Sequence, residues 1–293
     1  MERAAARVTA APGRLRESLE MIKFSHTIFA LPFALLAFFR ASEGAIPLRT
    51  LLWVIAAMVG ARTAAMTFNR IADRAIDAEN PRTASRALPA GRLPVGYAAG
   101  LCAGASLLFL VSAWELNRLA FALAFPTLAV LFAYSFTKRF TALSHLVLGL
   151  CLGIAPVGAW VAVRGRIEWP PIALGLAVLF WTGGFDVLYA LQDEAFDRAR
   201  GLKSLPARLG SKGALVVSAL FHAATLVFLV LFARAVHGDL LMAIAIGVAA
   251  AALLVQHAIV RPGDLSRLNA AFFTANGVLS VAVGILGIAD LFL

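Results

Sequence analysis

The chain has 293 residues, of which 61% are apolar and only 14% are charged, whereas a soluble domain has about 45–50% apolar and about 25% charged residues. A water-soluble fold is therefore excluded, and the composition predicts a polytopic membrane protein. The net charge of +10 does not indicate a nucleic-acid partner, because the basic residues alternate with membrane-length apolar runs and do not form one face. The lipid bilayer and an anionic substrate are the partners that it favours.

Nine apolar segments are long enough to cross a bilayer, which takes about 20 residues. In chain order they lie near 22–41, 48–70, 95–114, 118–137, 142–163, 170–192, 213–234, 239–260 and 267–290. Most connections are short, but two longer polar ones, roughly 71–94 and 193–212, are rich in Arg and Lys. The predicted fold is all-α, with about nine transmembrane helices around a central cavity that these two loops cap.

The distribution of basic residues predicts how the chain is oriented. Most of the 26 Lys and Arg residues lie on the side of the N-terminus and the two long loops, and basic loops stay in the cytoplasm. We therefore expect the N-terminus in the cytoplasm and the C-terminus outside, in a multi-pass protein of a bacterial-type inner (plasma) membrane.

The end of the second span carries the first chemical motif. Asn69, Asp73 and Asp77 are four residues apart, so on a continuous helix they share one face. Arg62, seven residues before Asn69, falls on nearly the same stripe. One face thus presents a cation deep in the membrane and two carboxylates near its surface.

The sixth span ends in a similar way, since Asp186, Asp193 and Asp197 repeat the spacing of seven and then four residues. Four converging carboxylates repel one another unless cations lie between them. Mg2+ is typically held by one or two carboxylates together with the phosphate oxygens of a substrate. The paired motifs therefore predict a diphosphate bridged by Mg2+, whose ester partner can be a long lipid between the helices.

Cations near these motifs could bind the other diphosphate oxygens. Lys138 and Arg139 follow the fourth span, and Tyr134 lies one turn deeper, where its phenol could donate a hydrogen bond. Further candidates come from the two long loops: Asn80, Arg82, Arg86, Arg200 and Lys203.

Plainer interpretations of the same residues remain open. Loop cations are common for reasons of topology alone, and Tyr134 and Tyr189 could be interfacial aromatics. Arg62 and Asp186 could form a purely structural ion pair. A weak echo between the loops, Arg86-Ala-Leu-Pro-Ala and Lys203-Ser-Leu-Pro-Ala, suggests one domain over 1–293 built from two related halves, about 14–140 and 141–293.

At these residues the chain resembles the UbiA-type family of intramembrane prenyltransferases. The matching segments are Asn69-Arg70-x2-Asp73-x3-Asp77 with Asn80-Pro-Arg82-Thr and Arg86-x-Leu-Pro, Tyr134-x3-Lys138-Arg139, and Asp186-x2-Tyr189-Ala-x2-Asp193-x3-Asp197 with Gly201-x-Lys203-Ser. The resemblance implies a Mg2+-dependent enzyme that transfers a polyprenyl group from polyprenyl diphosphate to an aromatic acceptor.

The resemblance also implies roles for single residues. Mg2+ and catalysis would involve Asn69, Asp73, Asp77, Asp193 and Asp197. Substrate would contact Arg62, Arg82, Arg86, Tyr134, Lys138, Arg139, Asp186, Tyr189 and Lys203. Asp186 or a loop carboxylate could accept the ring proton.

The segment 21–33 is similar to a bacterial 4-hydroxybenzoate polyprenyltransferase-like branch. That similarity suggests 4-hydroxybenzoate or 1,4-dihydroxy-6-naphthoate as the acceptor, in ubiquinone or menaquinone biosynthesis. Two other functions stay open, a transporter of an anionic metabolite and a metal-dependent lipid phosphotransferase. The second usually contains Asp-Gly-x2-Ala-Arg, which this sequence lacks.

Overall fold

A computed structural model of the protein describes residues 13–22, 27–261 and 264–293. In these ranges eight helices are long and apolar enough to cross a membrane, and a shorter apolar helix covers Phe29–Ala41. Helices suit this setting because a chain in lipid must satisfy its backbone hydrogen bonds internally. The predicted all-α, polytopic membrane fold is confirmed.

The helices follow the predicted spans closely. They are α1 Arg14–Met21, α2 Thr27–Ala41, α3 Leu48–Ala72, α4 Arg74–Glu79, α5 Val95–Leu116, α6 Arg118–Thr137, α7 Ser144–Arg164, α8 Trp169–Ala190, α9 Glu194–Arg200, α10 Leu205–Ala235, α11 Leu240–Ile259, α12 Leu268–Ala270 and α13 Asn276–Ala289. Each predicted span therefore matches a described helix or, in the last case, a helical series.

Three predicted boundaries need correction. The two long polar connections contain the short helices α4 and α9. The seventh span begins at Leu205 instead of near 213, because the Ser204 side chain accepts a hydrogen bond from the Ala207 N–H and caps α10; Gly210, at φ 70°, then breaks the helix. The last span is interrupted by a π-helical turn, Ala271–Ala275, between α12 and α13.

Helix α8 lies at the centre of the protein. Two thirds (67%) of its apolar segment is buried inside the protein, against 22–39% for the other long helices. It packs closely on α7: a Cβ added to Gly153 would lie 2.5 Å from the Gly175 carbonyl oxygen, and one added to Gly175 would lie 2.7 Å from that of Gly153. Glycine lets the two backbones touch, which fixes the position of α8 against α7.

Candidate functional site

A cavity of about 710 Å³ lies where the C-terminal ends of α3, α6 and α8 meet. Both aspartate segments contribute to its wall, so the ends of the second and sixth predicted spans share one chamber. Twelve of the predicted site residues line it: Arg62, Asn69, Asp73, Asp77, Arg82, Arg86, Tyr134, Lys138, Asp186, Tyr189, Asp193 and Asp197.

The first aspartate segment is not the continuous helix that its spacing suggests. Helix α3 ends at Ala72, and Asp73, at φ −93° and ψ 3°, connects it to α4. The Asp73 N–H still donates to the Asn69 carbonyl (2.9 Å), and the Asp77 N–H donates to the Asp73 carbonyl (2.7 Å). Hydrogen bonding of the helical type therefore persists across the break, and both carboxylates are buried in the cavity wall.

The second aspartate segment has a similar break. Helix α8 ends at Ala190, a 3-10 turn covers Leu191–Asp193, and Asp193, at φ −101° and ψ 2°, leads into α9. Asp197 lies one turn into α9, is buried and interacts with the Ser204 hydroxyl. The breaks thus make Asp73 the counterpart of Asp193.

Basic side chains partly neutralise the first segment. Arg86 Nη1 donates to both Asp77 oxygens, at 2.8 and 2.7 Å. Lys138 Nζ is 3.5 Å from one Asp73 oxygen, and Arg139 Nη2 is 3.4 Å from the other. Part of the cationic charge that four clustered carboxylates require therefore comes from the protein itself.

The loop after α4 binds the second segment directly. Asn80 Nδ2 and Arg82 Nε donate to Asp193 Oδ1, at 3.0 and 2.9 Å, and Arg82 Nη2 pairs with Asp193 Oδ2. The Arg82 guanidinium also lies 5.4 Å from the centre of the Tyr189 ring. Burial opposes the charge of Arg82, but the hydrogen bonds and negative charge of Asp193 raise its pKa above the ordinary value. Arg82 therefore stays cationic and connects the two aspartate segments.

The donor set of the cavity suits a hard cation. Four carboxylates and the Asn69 amide supply the oxygen ligands that Mg2+ prefers. Among the described residues, no group of three acidic, His or Cys side chains is assembled as a metal site. Mg2+ needs only one or two carboxylates when phosphate oxygens and water complete its shell, so the residues present fit this ion together with a diphosphate.

Two predicted residues do not line the cavity. Arg139 donates to the Ala72 carbonyl (2.8 Å) and lies over the Phe136 ring, so it supports Asp73 from outside. Lys203 is exposed, and its backbone N–H, rather than its ammonium group, makes a contact here, with the Lys138 carbonyl (2.7 Å). The Lys203 backbone thus attaches the segment before α10 to the end of α6.

The structure adds residues that the sequence did not indicate. His145 lies on the first turn of α7, and its Nδ1 atom is 2.7 Å from Asp186 Oδ2. The structure thus pairs the Asp186 carboxylate with His145. From α1, Glu17 and Glu20 reach the cavity wall, and Glu17 pairs with Arg92 at 2.7 Å. Apolar side chains make up much of the rest of the wall: Phe29, Leu148, Leu152, Phe185 and Phe272, beside Arg62 and Thr182.

Comparison with known proteins identifies the family. The UbiA prenyltransferase family profile matches residues 30–278. A 4-hydroxybenzoate octaprenyltransferase of Actinobacillus pleuropneumoniae is 35% identical over 209 residues, which is 70% of each chain. One of Nitrosomonas europaea is 33% identical over 227 residues, which is 75% of each chain. These matches favour the prenyltransferase interpretation over the carrier and the phosphotransferase.

Solved structures agree with this result. The apo UbiA homolog from Aeropyrum pernix K1 has a TM-score of 0.79 at 33% identity, covering 92% of this chain and 97% of that one. A UbiA homolog from Archaeoglobus fulgidus, bound to DMAPP and Mg2+, has a TM-score of 0.74 at 20% identity, covering 94% and 99%; it supports the fold. The chain belongs to the UbiA prenyltransferase family, and it is a membrane-spanning prenyltransferase.

Proposed function

We propose that this enzyme transfers a polyprenyl group from polyprenyl diphosphate to an aromatic quinone-head precursor, with Mg2+ bound at the aspartates. One observation carries the proposal: both aspartate segments and their cations line one end of a cavity whose other wall residues are largely apolar. The relatives named for 4-hydroxybenzoate support an aromatic acceptor. The neighbour bound to DMAPP and Mg2+ supports the donor and the metal.

The polar end would hold the diphosphate. Asn69, Asp73, Asp77, Asp193 and Asp197 would hold Mg2+. When bound, this ion supplies Lewis acidity that stabilises the charge of the leaving diphosphate.

The chain's own cations add to this effect. Arg82, Arg86 and Lys138 line the same end of the cavity and can donate charge-assisted hydrogen bonds to phosphate oxygens. Tyr134 also lines the cavity, and its hydroxyl can donate another. These fixed donors favour the charge that develops as the allylic C–O bond breaks.

The apolar inner wall would hold the prenyl chain and the acceptor ring. Phe29, Phe185 and Phe272 have ring centres 5.3–5.7 Å apart, and Tyr189 lies beside Phe272, at 4.5 Å. Aromatic faces attract cations, and an apolar wall keeps water away from an allylic carbocation. The cation can therefore persist long enough to alkylate an electron-rich ring carbon, whose proton would then pass to Asp186 or a loop carboxylate.

We further propose the arrangement in the cell. The protein would be a multi-pass protein of a bacterial inner membrane, with its N-terminus in the cytoplasm and its C-terminus outside, as the distribution of basic residues indicates. The single domain would consist of two related halves, about 14–140 and 141–293. The matching helix breaks at Asp73 and Asp193 support this duplication.

Product analysis of purified protein tests the function. Protein in lipid nanodiscs is incubated with geranyl diphosphate, Mg2+ and either 4-hydroxybenzoate or 1,4-dihydroxy-6-naphthoate, and product masses are read by mass spectrometry. We expect one acceptor to gain a geranyl group with release of diphosphate. The preferred acceptor distinguishes the ubiquinone from the menaquinone pathway.

Two substitutions test the metal assignment. Asp73→Asn and Asp193→Asn keep the side-chain shape but remove a charge, and we expect each to lower turnover by about 100-fold or more. Glu115→Gln is the control, since Glu115 pairs with Arg49 (2.7 Å) on another part of the protein. Prenylation retained in both aspartate variants, with unchanged Mg2+ dependence, would refute the assignment.

A further inference from the structure

His145 and Asp186 form a hydrogen-bonded pair in the cavity wall, and His145 also interacts electrostatically with Asp197, one of the proposed metal ligands. His145 Nδ1 is 2.7 Å from Asp186 Oδ2. The His145 side chain is only 5% exposed, whereas that of Asp186 is 24% exposed and lines the cavity. The pair joins α7 to α8, the two helices that touch through Gly153 and Gly175. A buried imidazole thus supports a carboxylate that the cavity can reach.

The other ring nitrogen determines which atom of His145 carries the proton. The backbone N–H of Leu205 points at His145 Nε2, at 3.3 Å. An N–H can only donate, so Nε2 must be the unprotonated acceptor, and the proton of the neutral ring lies on Nδ1. Nδ1–H therefore donates to Asp186, which accepts as a carboxylate.

Asp186 differs from the aspartates at the polar end in the kind of side chain with which it pairs. Asp73, Asp77 and Asp193 pair with Lys or Arg side chains, whereas among the described residues Asp186 pairs with the His145 ring. With its proton on Nδ1, this ring orients the carboxylate by a hydrogen bond. Asp186 is thus held in place at the cavity wall.

The surroundings of Asp186 suit an aromatic ring that carries a hydroxyl group. Phe185 and Tyr189 lie on the same stretch of α8 and line the cavity with it. Tyr134 lines the same cavity and interacts electrostatically with both Asp186 and Asp73, so it is near the carboxylate and near the proposed metal site. A phenol bound at Asp186 would thus have aromatic side chains beside it and the prenyl diphosphate close by.

We propose that Asp186 accepts a hydrogen bond from the hydroxyl group of the aromatic acceptor, and that His145 is the positioning residue that orients this carboxylate through Nδ1–H. The inference rests on the proposed function. The acceptor ring becomes positively charged as its new carbon–carbon bond forms, and a fixed carboxylate beside its hydroxyl stabilises that charge. The same contact places the ring in the apolar part of the cavity.

Two isosteric substitutions separate this role from a structural one. His145→Asn can place an amide N–H near the position of Nδ1, so it retains the donor to Asp186. His145→Gln can place a carbonyl oxygen near the position of Nε2, so it retains the acceptor for Leu205 N–H. We expect the Asn variant to keep the acceptor KM within about threefold and the Gln variant to raise it about tenfold, with the KM for geranyl diphosphate unchanged in both.

The opposite order, with the Gln variant normal and the Asn variant impaired, would show that His145 only supports the start of α10. An equal rise in the donor KM would likewise overturn the inference. Asp186→Asn covers the case in which neither histidine variant folds: we expect its acceptor KM to rise while its donor KM stays the same, and a parallel rise in both contradicts the proposal.

The activity of the wild-type protein distinguishes failure of the proposed function from failure of the role of His145 and Asp186. If wild type makes no prenylated product from either acceptor, the proposed function itself fails. If wild type makes product and all three variants have wild-type KM values for the acceptor, only the role of His145 and Asp186 is refuted.

Discussion

The two aspartate segments share a backbone design but differ in what surrounds their carboxylates. In each, a long helix ends just before an aspartate with nearly the same dihedral angles, Asp73 in one and Asp193 in the other. Asp77 pairs with Arg86 from its own segment, whereas Asp193 pairs with Arg82 from the opposite segment. The two segments thus share the same backbone break, while tertiary contacts decide which cation neutralises which carboxylate.

Matching the two segments at Asp73 and Asp193 reveals a second difference between them. With Asp73 matched to Asp193, the counterpart of Asp186 in the first segment is Met66, and both side chains line the cavity. The spacing of seven and then four residues had matched Asp186 with Arg62 instead. The second segment therefore carries a carboxylate that the first lacks. This asymmetry is what an enzyme needs if only one side of the cavity binds the acceptor.

Among the residues that distinguish the two segments, the largest loss of turnover is expected where the segments are joined. Arg82→Ala removes the fork that holds Asp193, and we expect turnover to fall about 100-fold because a charge-assisted, bidentate contact is lost. Arg82→Lys keeps the charge without the fork and should lose about tenfold. Turnover measured with geranyl diphosphate under saturating Mg2+ tests both variants.

A matched control exists for this prediction. Arg200 also joins the two segments, through Glu79 at 2.7 Å, but both side chains are half exposed. An exposed pair contributes little, so Arg200→Ala should stay within about twofold of wild type. If it is as damaging as Arg82→Ala, the bridge between segments matters for structure and not for the diphosphate.

A smaller effect, on thermal stability, is expected when Mg2+ and geranyl diphosphate bind. Because Lys and Arg already pair with three of the aspartates, Mg2+ alone should change the melting temperature little. Mg2+ with geranyl diphosphate, at about thirty times its Kd, should stabilise the protein by about 2 kcal/mol, and EDTA should reverse the shift. A full shift with Mg2+ alone would contradict the neutralisation seen here.

Much of this architecture was predictable from the sequence. Hydropathy located most of the spans to within a few residues, because helices in lipid must be long and apolar, and the aspartate spacing indicated one shared cavity. The breaks at Asp73 and Asp193 were hidden, since a four-residue spacing also fits an unbroken helix. The start of α10 was missed because Arg208 and Lys212 look like loop residues.

The pair of His145 and Asp186 shows a different limit. These residues are far apart in sequence and lie on separate helices, α7 and α8. Hydropathy and periodicity report on one helix at a time, so neither relates them. Only the packing of α7 on α8, through glycines whose contacts the sequence does not specify, brings the imidazole to the carboxylate.

The smallest change in turnover is expected from the two basic residues that precede the similar Leu-Pro-Ala sequences of the two loops. Arg86 and Lys203 occupy matching positions before Leu-Pro-Ala, yet Arg86 holds Asp77 while Lys203 is exposed. Arg86→Ala leaves a buried carboxylate without its cation and should lower turnover about tenfold, whereas Lys203→Ala should stay within about twofold. Equal losses in the two variants, measured as kcat/KM for the donor, would mean that the lysine reaches the diphosphate when substrate is bound. The two segments would then bind substrate alike, and their asymmetry would be confined to Asp186.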